Sequence, residues 1–145
     1  MKLSGGSEVQ GSPEQVFDRL MDPALLARCI PGCDHMEEVE PGVYATSIGA
    51  GVGAVKRHFE GRVTVSEVDR PNGYRLTISG DSPVGHVDGG ARVRLEPTSG
   101  TTRVTYEGEA RLSGLLAAFG GRMLEGAANK AVASFFERLV QEAGR

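Results

Sequence analysis

Little in this sequence advertises chemistry. It holds two cysteines and three histidines, and only Cys29, Cys33 and His35 lie near one another, one short of the four ligands a structural zinc takes. No run approaches the roughly 18 apolar residues that a membrane span needs. The opening MKLSGGSEVQ lacks the apolar core of a signal peptide, so the expected location is the cytoplasm, where thiols stay reduced. The formal charge is -3 with acids and bases mixed throughout. No basic stripe marks a nucleic-acid partner. No Ser-His-Asp or Cys-His order can be defended, since the serines fall in turns or on outer faces.

Glycine is what the chain has in excess, 21 of 145 residues, about twice ordinary usage. The glycines are scattered, and neither a linker nor a repeat divides the chain, so one domain spanning 1–145 is expected, long enough to bury a core. Residues 1–10 read as a strand. Ser12-Pro13-Glu14-Gln15 has the form of a helix start, with Ser12 as N-cap and Gln15 at the capping-box position. Asp22-Pro23 starts a second short helix, and Pro31-Gly32 stops it. From there to residue 112 the pattern alternates with period two. Phe59, Gly61, Val63 and Val65 oppose His58, Glu60, Arg62 and Thr64; Ala91, Val93 and Leu95 oppose Arg92, Arg94 and Glu96. Val104, Tyr106, Gly108 and Ala110 repeat the pattern. Turn signals at 41–42, 71–73 and 97–100 separate six strands.

From Gly114 to Ala143 the spacing turns helical, with one stripe at Leu116, Phe119, Met123 and Ala127. A neighbouring stripe runs through Leu124, Ala128, Ala131, Phe135 and Leu139. The fold class is therefore α+β: a seven-stranded antiparallel curved sheet around a long C-terminal helix, with two short helices after strand 1. The helix is poor in bulk around Gly120, Gly121, Gly126, Ala127 and Ala128. Close packing or a kink explains that equally well as a cavity between helix and sheet. The residues expected to line such a cavity are Ile48, Phe59, Val63, Leu76, Ile78, Val93, Tyr106, Leu116, Phe119, Met123, Ala127 and Phe135. They are apolar, and no carboxylate is clearly assigned an inward position. That suits an apolar ligand better than acid–base catalysis.

The cysteines of ARCIPGCDHM are four apart, not in the Cys-x-x-Cys redox spacing. Two small packed thiols at a helix–strand turn are expected, with a disulfide and a metal site as the alternatives. His58 falls on the polar side of its strand and His35 on the surface. His86, at a strand start, is a candidate anchor for a ligand carbonyl. Gly49 to Gly53 lacks the Lys-Ser/Thr and the helix of a phosphate loop and reads as a flexible hairpin at the cavity rim.

DPALLARCIPGC resembles the signature turn of the carbon monoxide dehydrogenase CoxG family, of the START-like helix-grip superfamily. MKLSG, GSPEQVFDRLMDP, FEGRVTVSEVDRP, YRLTISGDS, GGARVRLEP, GTTRVTYEGEARLSGLLAAFGGRML and FFERL resemble further stretches of that family in the same order. The resemblance implies the fold already read from the periodicity. It also implies a non-enzymatic accessory of a molybdenum hydroxylase such as carbon monoxide dehydrogenase. Such a protein would bind a hydrophobic small molecule, a lipid or a quinone (menaquinone or ubiquinone), and make peripheral contact with the inner face of the cell membrane. It would thereby link oxidation to electron transport. No covalently bound cofactor, catalytic residue or metal ligand transfers from the family. Many members continue into a linker and an apolar anchor; this sequence stops at Arg145, so no anchor is expected of it. Two rivals stay open: a structural recruitment or assembly factor with a solid interior, and an enzyme using His86, Tyr106 or Glu109, which would have to converge on one cavity.

Overall fold

The computed structural model describes residues 1–52, 55–119 and 121–143, and side chains within them except at 50–57, 119 and 143. Strand β1 (Lys2–Gln10) leads into α1 (Pro13–Leu20) and α2 (Pro23–Cys29). Six strands follow: β2 (Cys33–Glu40), β3 (Val43–Val52), β4 (Val55–Asp69), β5 (Gly73–Ser82), β6 (Gly85–Thr98) and β7 (Thr101–Ser113). A 3₁₀ helix (Gly114–Phe119) and the helix α3 (Gly121–Ala143) complete the chain. The strands form one sheet in the order β1-β7-β6-β5-β4-β3-β2, antiparallel throughout.

Local chemistry explains the helix starts. Ser12 Oγ accepts from the Gln15 amide, and the Gln15 side chain accepts from the Ser12 amide, a closed capping box. Asp22 Oδ1 accepts from the Ala24 amide at 3.0 Å to open α2. Between them these caps satisfy amides that have no partner inside the helix.

The expected continuous helix over 114–143 is corrected: it divides into the 3₁₀ segment and α3. Gly114 adopts φ +70° at the start of that segment, and the adjoining glycines 120 and 121 carry the lowest helix propensity short of proline. At about 1.5 Å per residue α3 is roughly 35 Å long. Its buried stripe is Leu124, Ala128, Val132, Phe135, Phe136, Leu139 and Val140; Ala131, placed on that stripe by spacing, is exposed.

The sealed core lies at one end of the sheet. Val9, Val16, Phe17, Leu20, Leu25, Cys29, Tyr74, Val93, Leu95, Val104 and Leu139 pack there in one cluster. Phe17 meets Tyr74 edge to face at 5.6 Å. Arg28 pairs with Glu142 at 3.5 Å, tying α2 to the C-terminal end of α3.

Helix glycine does not serve close packing. A Cβ built on Gly126, in the interior of α3, meets nothing within 4 Å. Gly126→Ala is therefore expected to stabilise the protein by about 0.8–1 kcal/mol, the propensity difference alone. A urea unfolding midpoint that stays level or falls would contradict it.

Candidate functional site

The register converts alternation into rows that cross the sheet on the face carrying the helices. The row Gly5, Tyr106, Val93 and Tyr74 is still part of the sealed end. The next row is Leu3, Gly108, Ala91, Leu76 and Val65. After it come Ala110, Gly89, Ile78, Val63 and Tyr44, then Leu112, Val87, Gly80, Gly61 and Thr46. Ile48 opposite Phe59 lies one row further. Bulk drops out of the middle of the sheet, where Gly108 faces Ala91, Ala110 faces Gly89 and Gly80 faces Gly61. Most side chains in these rows are half-buried rather than buried. Ile78 is 39% exposed although it points to the concave face.

The helix does not fill that space. Leu139 is fully buried at the sealed end, whereas Met123 is 52% exposed. Residues 125–131 of α3 are exposed apart from half-buried Ala128. The backbone of α3 runs closest to β1 and α2. The result is a gap sealed at one end and open at the other, beneath a helix pinned at its C-terminal end.

Two kinds of glycine line it. A Cβ on Gly108 would collide with the Gly90 carbonyl and come 2.8 Å from Ala91 Cβ, so the close strand approach demands glycine there. A Cβ on Gly80 has no neighbour nearer than Glu60 O at 3.9 Å. The first glycine shapes the sheet, and the second leaves volume unused.

The residues expected from sequence are distributed as follows. Ile48, Phe59, Val63, Leu76 and Ile78 share the concave face of the open part. Val93 belongs to the sealed core, and Tyr106 stands at its boundary. Leu116 is buried, its amide donating to Val84 O at 3.0 Å beside the β5–β6 turn. Phe135 is half-buried against the core cluster. Met123 and Ala127 lie exposed on α3. The Phe119 side chain, Gly120 and the hairpin tip at Gly53 lie outside the described residues. Sequence reasoning passed over Phe136, which stacks on Tyr106 with ring centroids 5.9 Å apart. The four-residue step from Val132 to Phe136 was the available signal. Tyr44 and Thr46 were missed because in VYATSI only Ile48 reads as plainly apolar.

Charge stays away from the concave face. Among the described side chains of β3 to β7, every inward position is uncharged. On the edge strand, Glu38 lies opposite Tyr44 and is exposed. The candidate trio His86, Tyr106 and Glu109 does not converge: Tyr106 is concave, while His86 and Glu109 alternate onto the convex face. The anchor role expected for His86 is corrected by that parity. Its Nδ1 meets the Asp81 carboxylate, and its Nε2 lies 2.9 Å from Asp88 Oδ1. Nor is His58 simply solvated, since it pairs with Asp34 at 2.6 Å. A convex groove of about 420 Å³ is bordered by Lys2, Arg75, Arg92, Glu107 and Glu109, a charged surface unlike the gap.

The hydrogen bond with Asp81 first, and that with Asp88 next, hold the His86 pKa above its ordinary 6.5. A raised folded value favours the charged ring in the native state. Its contribution is full below the unfolded pKa of about 6.5 and is lost as pH rises through the higher folded value. An NMR titration is expected to place the His86 midpoint above that of an unstructured peptide, and Asp81→Asn should move it down. An unchanged midpoint would show that the pair does not persist in solution.

Both thiols are free, Cys29 buried and Cys33 half-buried. Cys33 Sγ donates to His35 O at 3.3 Å, and Thr46 Oγ1 donates to the same carbonyl at 2.8 Å. The fixed element of the turn is Gly32, at φ +76°, where a Cβ would strike Gly49 O. Gly49 N donates back to Gly32 O at 2.9 Å. Among the described residues no group of three His, Cys, Asp or Glu side chains could hold a metal ion. No helix among them is long and apolar enough to cross a membrane.

Known structures share this architecture. A conserved protein from Geobacillus kaustophilus is 31% identical, with a TM-score of 0.93 over 99% of this chain and 95% of its own. A START superfamily protein from Mycobacterium smegmatis is 11% identical, with a TM-score of 0.75 over 99% and 97%. The Zhui aromatase/cyclase from Streptomyces sp. R1128 is 16% identical, with a TM-score of 0.66 over 100% and 94%. The last two likenesses are of fold alone, and the fold is START-like, a helix gripped by a curved sheet. No match was found among curated proteins. The family model for CoxG of carbon monoxide dehydrogenase matches residues 5–144, a span that holds β2 to β7, all the helices and both ends of the gap. The chain belongs to the carbon monoxide dehydrogenase CoxG family.

Proposed function

We propose that this chain is a non-enzymatic carrier of an apolar ligand, a respiratory quinone such as menaquinone or ubiquinone. It would serve a molybdenum hydroxylase of the carbon monoxide dehydrogenase type at the cell membrane. The observation that carries this reading is the uncharged concave face, its rows of small residues left half-exposed beneath a helix that does not fill them. Apolar surface held open in this way is favourable to an apolar guest, at about 25 cal/mol for each Å² removed from water. The family name supports the choice of partner enzyme. A purely structural recruitment factor would have no use for unfilled volume under its helix.

The test is organic extraction of the purified protein followed by mass spectrometry, with native mass spectrometry after addition of menaquinone and ubiquinone. Co-purifying quinone or stoichiometric uptake is the expected result. A protein that carries nothing apolar and takes up neither quinone would defeat the proposal.

A further inference from the structure

The two ends of the gap differ in chemistry, and the difference bears on how a ligand lies in it. Tyr106 stands in the row Tyr74, Val93, Tyr106 and Gly5, the last one filled with bulk. Beyond it Gly108 and Ala91 begin the open part. The Tyr106 ring stacks on Phe136 of α3 with the planes 17° apart, and Phe136 meets Phe135 edge-on at 5.3 Å. Those rings close the floor between β7 and the helix. Gly5 makes room for the phenol: a Cβ there would come 2.8 Å from Tyr106 Oη.

That hydroxyl is the floor's spare polar group. The Tyr44 hydroxyl donates to Met21 O at 3.2 Å, and Thr46 Oγ1 is likewise engaged. Tyr106 Oη has no hydrogen-bond partner among the described residues. Burial pushes its pKa up, so it remains a neutral O–H donor at physiological pH. At the other end Ile78 and Met123 offer only aliphatic and thioether surface. A flat aromatic face with one free donor lies at the closed end, and flexible apolar surface at the open end.

Resting on the reading of the gap as an apolar-ligand site, we infer that Tyr106 is a specificity residue. Its Oη–H donates to a carbonyl oxygen of a planar conjugated ring seated on the Tyr106–Phe136 floor, with the ligand's apolar tail directed toward Met123. The ring goes in first because stacking and the donor are both at the floor. A carbonyl supplies the acceptor that the phenol lacks, and a ringless hydrocarbon supplies neither.

Tyr106→Phe tests this, since it keeps the ring and its stack and removes only the donor. The probes are 2-methyl-1,4-naphthoquinone, which has the ring without a tail, and squalene, which has the tail without a ring. Titration calorimetry is expected to show naphthoquinone binding weakened about five- to tenfold, the equivalent of one hydrogen bond. Squalene uptake and the thermal midpoint should be unchanged. The carbonyl stretch of the bound naphthoquinone, read by infrared difference spectroscopy, should move up toward its value in apolar solvent. Equal affinity with an unmoved carbonyl band would overturn the role of Tyr106 and leave the carrier reading standing. Uptake of squalene alone by the unsubstituted protein would overturn the ring-first orientation while sparing the carrier. Uptake of neither probe would overturn both.

Discussion

Leu139→Ala is expected to destabilise the protein by about 3–4 kcal/mol, within the usual range for truncating a fully buried leucine. Leu139 is 0% exposed, and it is the one residue of α3 that belongs fully to the sealed cluster of Val9, Val16, Phe17, Leu20, Leu25 and Cys29. Truncation removes the transfer free energy of the lost carbons and leaves a void that surrounding strands and two short helices cannot collapse to fill. At this chain length the thermal midpoint should fall by roughly 10 °C or more. Met123→Ala, at the open end, should change stability by well under about 1 kcal/mol. Urea denaturation of the two variants is the measurement. Comparable losses from both would mean that α3 is held along its whole length, contrary to a gap beneath it.

Gly80→Leu is expected to abolish uptake of the apolar ligand while leaving the protein folded. The side chain would project into the gap from a position where a Cβ meets nothing closer than 3.9 Å. It would occupy the space left between Gly61, Ile78 and Val87, at the centre of the open rows. The control is Gly108→Leu, whose Cβ collides with the carbonyl of Gly90; that variant should fail to fold rather than fail to bind. Quinone uptake by native mass spectrometry, beside far-ultraviolet circular dichroism, separates the two. If the folded Gly80 variant binds as well as the parent, the ligand does not lie against β5, and the proposed site is in the wrong place.

The strands were legible because alternation is a strong signal wherever one face is buried. Val63 opposite Ile78 and Val93 opposite Tyr106 followed from period two plus the turn positions. The capping box at Ser12 was equally plain, since it depends on four adjacent residues. What the sequence did not disclose was depth along the rows. Val93 and Ile78 both alternate inward, yet one is sealed and the other half-exposed, because depth depends on which rows the helix reaches. That is set by three-dimensional placement and leaves no local pattern. The break after the 3₁₀ segment was half visible in the paired glycines. His86 and Glu109 were misjudged for a simpler reason: counting in twos from Val93 and Tyr106 puts both on the outer face.

One consequence concerns protons. Reducing a quinone to a quinol takes two electrons and two protons. Across the inward positions of β3 to β7 no described side chain carries an acid or a base, and the phenol at the floor gives up its proton less readily than an ordinary tyrosine. A quinone held there would have no donor on that face to complete its reduction, so both protons would have to arrive from bulk water through the open end or from the enzyme docked against it.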